Sequence, residues 1–181
     1  MPKPKSAPYG TWVSPIGAED IVRDSVRLGQ LMLDNGNLYW SELRPSEGGR
    51  TIIMCRKGGG AATEVLPDGL SARTKVHEYG GGGFCVDNGE LWYCNDADQR
   101  IYAVDSAGRI RPVSPEGPYR YADLVVDRKR NRIVCVLEDH SGTGEPENTI
   151  VAVTFDGDVD VLASGADFYA TPRLSPAGDD I

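Results

Sequence analysis

Few residues in this chain could carry chemistry. His77 and His140 are its two histidines, and no serine lies in a Gly-x-Ser-x-Gly elbow. The nearest approach, Gly69-Leu-Ser71, has Arg73 where the second glycine would stand. No Ser-His-Asp arrangement can be argued, so no catalytic residue is expected. Gly58-Gly59-Gly60 and Gly80-Gly81-Gly82-Gly83 lack the Lys-Ser/Thr and the helix of a phosphate-binding loop. A zinc site would want paired ligands at close spacing, and Cys55, Cys85, Cys94 and Cys135 form no Cys-x-x-Cys pair. Neither a metal nor another cofactor is expected.

Three segments exceed what plain strands and turns need. In Arg73–Gly83, four successive glycines mark a bend or close backbone approach. His77 and Glu78 beside it could face a ligand or a neighbouring domain, or His77 could simply bond a backbone group. In Glu138–Asn148, Glu145 and Glu147 could hold a cationic group such as a peptide α-ammonium by charge-assisted hydrogen bonds; solvated loop acids are the other reading. In Gly165–Gly178, strand geometry would send one ring of Phe168-Tyr169 to the core and the other away. That suits an anchor better than a platform for substrate.

The elements holding these segments repeat. Ile52, Ile101 and Ile150 open short apolar runs 49 residues apart, and Val65, Val113 and Val161 follow at steps of 48. Gly59, Gly108 and Gly157 mark the turn between those runs. A period of 40–50 residues carrying several short strands is the signature of a β-propeller. Residues 1–25 read as an arm with a short helix near Ala18–Arg23, and 26–181 as an incomplete propeller. Its blades would cover about 26–70, 71–118 and 119–165, with a fourth beginning at 166–181 and a first strand at Thr171–Leu174. Asn35-Gly36 and Asn88-Gly89 are hairpin turns, since both residue types tolerate positive φ. Tyr39-Trp40 and Trp92-Tyr93 occupy equivalent second-strand places, where large rings fill the wedge between blades. Open blade ends would make such a piece self-associate.

A net charge of −8 argues against nucleic acid. The compact basic run Arg128-Lys129-Arg130 falls at a predicted hairpin tip and reads as a solvated turn. No apolar stretch reaches the ~20 residues of a membrane helix, and the opening lacks the apolar core of a signal peptide. Cytoplasmic residence and buried free thiols are the expectation.

Several stretches in order resemble the N-terminal propeller of bacterial serine peptidases of the prolyl oligopeptidase family, of the dipeptidyl or acylaminoacyl type. They are Val76-His-Glu-Tyr-Gly-Gly-Gly82, Asp96-Ala-Asp-Gln-Arg-Ile-Tyr102, Tyr121-Ala-Asp-Leu-Val-Val-Asp127, Glu145-Pro-Glu-Asn148, and Gly165-Ala-Asp-Phe-Tyr169 with Ser175-Pro-Ala-Gly178. Ala177 stands where the family usually has Asp. The resemblance implies a parent with further blades and a C-terminal α/β-hydrolase domain carrying the triad, so that this portion is itself non-catalytic and gates peptide access. It also implies a substrate- or domain-contact role for His77, Glu78, Tyr79, Glu145 and Asn148. The alternative is a propeller used as a scaffold or protein-binding module with no hydrolase attached. Fold alone does not choose between them.

Overall fold

The computed structural model describes residues 6–23 and 25–181; residues 1–5 of the expected arm lie outside them. The arm contains one short helix, α1 (Ala18–Val22), whose Asp20 carboxylate accepts the Gly17 N–H at 2.9 Å. Twelve strands follow. β1 (Arg27–Asp34), β2 (Asn37–Arg44), β3 (Arg50–Lys57) and β4 (Ala62–Glu64) make the first sheet. β5 (Phe84–Asp87), β6 (Glu90–Cys94), β7 (Ile101–Val104) and β8 (Ile110–Pro112) make the second. β9 (Tyr119–Asp127), β10 (Arg132–Asp139), β11 (Glu147–Thr154) and β12 (Val159–Ala163) make the third. Every pairing is antiparallel between sequence neighbours, and the leading strands adjoin, β1 beside β5 and β5 beside β9. These are three blades of a β-propeller.

Side-chain alternation explains why the blades need one another. Along β6, Leu91 and Tyr93 point into the cluster shared with the first blade, with Tyr39, Ile53 and Phe84. Trp92 and Cys94 point the other way, into the cluster shared with the third blade, with Tyr121, Ile133 and Val151. The middle sheet is thus covered on both faces, and its central strand is buried almost throughout. On the far face of the first blade Ile52 and Met54 of β3 are buried, but β1 stays open, leaving Leu28, Leu31 and Leu33 exposed. All four cysteines are buried free thiols. Burial pushes the Cys85, Cys94 and Cys135 thiols far up, which keeps them protonated.

The two rims of the blades differ. Antiparallel order sends the β1–β2 and β3–β4 turns to one rim. It sends the β2–β3 loops and the blade-to-blade connections to the other. The first rim carries tight turns: Asn35 and Gly36 have φ of 48° and 76°, and Asn88 and Gly89 have 51° and 77°. The Asp34 carboxylate accepts the N–H groups of Asn88 and Gly89 at 3.0 and 2.8 Å, tying the first hairpin to the second. The opposite rim carries the three long segments.

Arg128–Arg130 is a 3-10 turn at the β9–β10 hairpin tip, with Lys129 and Arg130 exposed as expected of a turn, and its cations are all engaged. Arg128 pairs with Asp87 and Glu90 and lies over the Trp92 ring, Lys129 pairs with Asp179, and Arg130 pairs with Asp127. An excess of carboxylates on neighbouring turns recruits these cations. One expectation changes: Thr171–Leu174 forms no strand. Thr171 has φ 49°, its N–H goes to the Asp123 carboxylate at 2.9 Å, and Pro172 offers no N–H for a ladder. Phe168-Tyr169 likewise lies outside any strand, although the rings still diverge. Tyr169 packs against the cluster of Val76, Ala122, Val134, Val136 and Ile150, while Phe168 is 69% exposed. The Ser175-Pro-Ala-Gly178 turn closes despite Ala177, with the Gly178 N–H bonded to the Ser175 carbonyl at 2.8 Å.

Candidate functional site

The long-segment rim holds a cleft of ≈ 770 Å³ between the first-to-second blade connection, the β10–β11 loop and the segment that follows β12. Its walls carry five carboxylates, from Glu78, Glu138, Glu145, Glu147 and Asp167, and no lysine or arginine. Phe168 supplies an apolar wall.

Backbone geometry sets the first wall. His77 and Glu78 have φ of 54° and 65°, strained values for residues with a Cβ. The glycines after them make this bend possible. A Cβ on Gly80 would lie 2.9 Å from the Thr74 carbonyl, and one on Gly82 would lie 2.9 Å from the Asp123 carboxylate. Asp123 sits where β9 breaks register against β10, with φ 57°, and accepts the Gly82 N–H at 2.6 Å. One carboxylate therefore holds the glycine bend and, through Thr171, the middle of the third segment.

Glu138, near the end of β10, organises the floor. Its side chain is 5% exposed, so its charge must be answered from inside. Oε1 accepts the His77 backbone N–H at 3.0 Å, and Oε2 lies 2.8 Å from His140 Nε2 and 3.3 Å from Arg120 Nη1. Arg120 also donates to the Lys75 carbonyl at 2.8 Å and to Glu78 at 2.6 Å. Its guanidinium holds the Glu78 carboxyl below the usual carboxylate range. The His77 ring is nearly buried, and Nε2 donates to the Tyr169 carbonyl at 3.1 Å, which can only accept. Nδ1 faces Glu138 Oε1 at 3.6 Å without a hydrogen bond. The Phe168 ring meets the imidazole edge-on with centroids 5.1 Å apart.

His77, Glu78, Glu145 and Asn148 thus come together at one cleft. Asn148 is 7% exposed, and its Oδ1 has no partner among the described residues. Tyr79 does not join them. It is 82% exposed and lines a neighbouring cleft instead. His77 makes the backbone bond and lines the cleft as well, so its two readings describe one side chain. Residue-type reasoning missed Glu138 and Arg120 as site residues. Glu138 ends an apolar run, and a charge there was the available signal.

Among the described residues, neither histidine has a serine hydroxyl as a partner. Among the described residues, no group of His, Cys, Asp or Glu could hold a metal ion. No described helix is long and apolar enough to cross a membrane. An acidic, water-accessible cleft with an aromatic wall can receive a cation.

No family model and no curated protein matches the chain. Solved structures do. A Mycobacterium tuberculosis puromycin-hydrolysing peptidase matches 96% of the chain at 33% identity with a TM-score of 0.80. A puromycin hydrolase matches 96% at 32% identity with a TM-score of 0.83, as does a serine-to-alanine variant of it complexed with PGG. The chain matches the N-terminal propeller region of such peptidases, which are of the prolyl oligopeptidase family. It spans 30% of the length of these relatives. Within the three blades, the cleft built on Glu138 lies on the rim of long connections, among the loops rather than the tight hairpins.

Proposed function

We propose that this chain is the propeller portion of a serine peptidase, gating peptide access to an α/β-hydrolase domain, and that its acidic cleft holds the substrate's free amine. The observation carrying the reading is the 32–33% identity across 96% of the chain to puromycin-hydrolysing peptidases. The cleft supports the finer part. Glu145, Glu147 and Asp167, which pair with no described cation, favour an ammonium in this partly enclosed space, and charge-assisted hydrogen bonds are roughly twice as strong as neutral ones. Glu145 and Glu147 would meet the amine, Asn148 would offer its unpaired Oδ1 beside it, and His77 with Glu138 would hold the wall. The substrates would be short peptides or amino-acid amides with an unblocked α-amine, the catalytic serine being supplied by the hydrolase domain. Four buried free thiols support a reducing, cytoplasmic setting.

The test uses the peptidase in which this propeller is joined to a hydrolase domain, assayed on a peptide amide and on its N-acetylated form. Glu145→Gln with Glu147→Gln should raise KM for the free amine while leaving the N-acetylated substrate unchanged. Equal effects on both substrates, or none on either, would sink the amine-holding role. Equal turnover of short peptides and folded proteins would sink gating.

A further inference from the structure

A second cleft of ≈ 430 Å³ opens on the same rim, between the first blade and the glycine bend. Its character is opposite to the first. Arg27 and Arg73 line it, together with Gln30, Ser41 and Thr51, and no Asp or Glu does, in a chain with 27 acidic residues. The other described arginines each bond a carboxylate or a carbonyl. Arg27 and Arg73 alone among them have guanidinia with no hydrogen bond or ion pair to any described residue.

The backbone repeats the pattern. The N–H groups of Gly80 and Gly82 go to Val76 O and Asp123 Oδ1. Those of Gly81 and Gly83, both lining the cleft, have no acceptor among the described residues. Two open amide donors and two unpaired guanidinia around one concavity form an anion-binding arrangement. The bend itself links the two clefts: Glu78 lines the acidic one, and Tyr79, the next residue, lines the basic one.

We propose that this second cleft is a carboxylate subsite, taking the C-terminal or a side-chain carboxylate of a short peptide, with Tyr79 as its apolar wall. The pairing of two clefts of opposite charge rests on the amine-holding role of the acidic cleft; the carboxylate subsite itself does not. It makes the face selective for dipolar peptides over capped ones, since each misplaced or missing charge loses its counterpart.

Amide-proton spectra of the chain, titrated with triglycine, triglycine amide, N-acetyltriglycine and Gly-Glu-Gly amide, test this directly. Triglycine should shift the Gly81 and Gly83 amides, and capping its carboxylate should abolish those shifts and weaken binding about tenfold. Recovery of the shifts with Gly-Glu-Gly amide would identify a side-chain carboxylate as an accepted source; no recovery would assign the site to C-termini. Arg27→Gln with Arg73→Gln should reproduce the effect of capping, with the circular dichroism spectrum unchanged. Gly81 and Gly83 signals that ignore triglycine, or that respond equally to its amide, would overturn the proposal. Should those shifts persist while N-acetylation changes nothing at residues 145–148, the carboxylate subsite stands and the amine-holding role falls.

Discussion

Asp127 and Glu138 are buried to nearly the same depth, with side chains 1% and 5% exposed, at opposite rims of the third blade. Asp127 is answered by Arg130 at 3.1 Å and Arg132 at 2.9 Å, both within five residues along the chain. Burial opposes its ionisation, but Arg132 and Arg130 outweigh burial and hold its carboxyl below the usual range. Glu138 is answered from the first-to-second blade connection through His77, from β9 through Arg120, and from its own loop through His140. A charge satisfied locally closes a turn. A charge satisfied by three separate segments gathers those segments around it, and the cleft is the space they leave.

The largest effect expected from this contrast is on stability at the hairpin rim. Asp127→Ala leaves two guanidinia facing each other without their shared acceptor, and should cost about 3 kcal/mol. The denaturant midpoint at unchanged m-value reads this, and peptide binding should not move. A binding defect in this variant would break the contrast. Glu138→Gln keeps an acceptor for the His77 N–H but removes the charge between Arg120 and His140. It should cost about 1–2 kcal/mol and also weaken amine binding several-fold, an effect on both properties that Asp127 lacks.

Acid sharpens the same point. Because the folded carboxyl of Asp127 titrates below its unfolded value of about 3.9, its contribution is complete above that value. The contribution is lost as pH falls through the lower folded value. Stability measured from about pH 5 downward should decline less steeply in Asp127→Asn than in the parent chain; identical slopes would remove Asp127 from the acid response. The smallest stability change belongs to Glu145→Gln with Glu147→Gln. Both side chains are exposed, so the loss should stay within about 0.5 kcal/mol while amine binding falls.

The blades were legible because their signals are local. Asn-Gly turns, alternating apolar runs and the 49-residue spacing are properties of short stretches. The segments around the cleft were legible for the same reason, since glycine runs and an overlong loop stand out from the repeat. Arg120 and Glu138 were not, because their meaning arises from partners 42 and 61 residues away. The engagement of Arg128 with Asp87 was hidden likewise, and the β reading of Thr171–Leu174 failed because no pairing strand meets it among the described residues. Arg27 and Arg73 are informative only through what they lack, which residue types do not reveal.

Trp92 and Tyr93 are consecutive, fully buried and directed into different interfaces. Opening β6 would therefore expose two hydrophobic layers at once, so the second blade cannot melt by itself while its neighbours stay intact. Its central amides should exchange with solvent only through whole-chain unfolding, whereas β12, whose residues from Asp160 to Ala163 face water, can fray independently. The free energy that protects the molecule is in this sense concentrated in β6 and in the inner strands β10 and β11, and thins toward the outer strands β1 and β12.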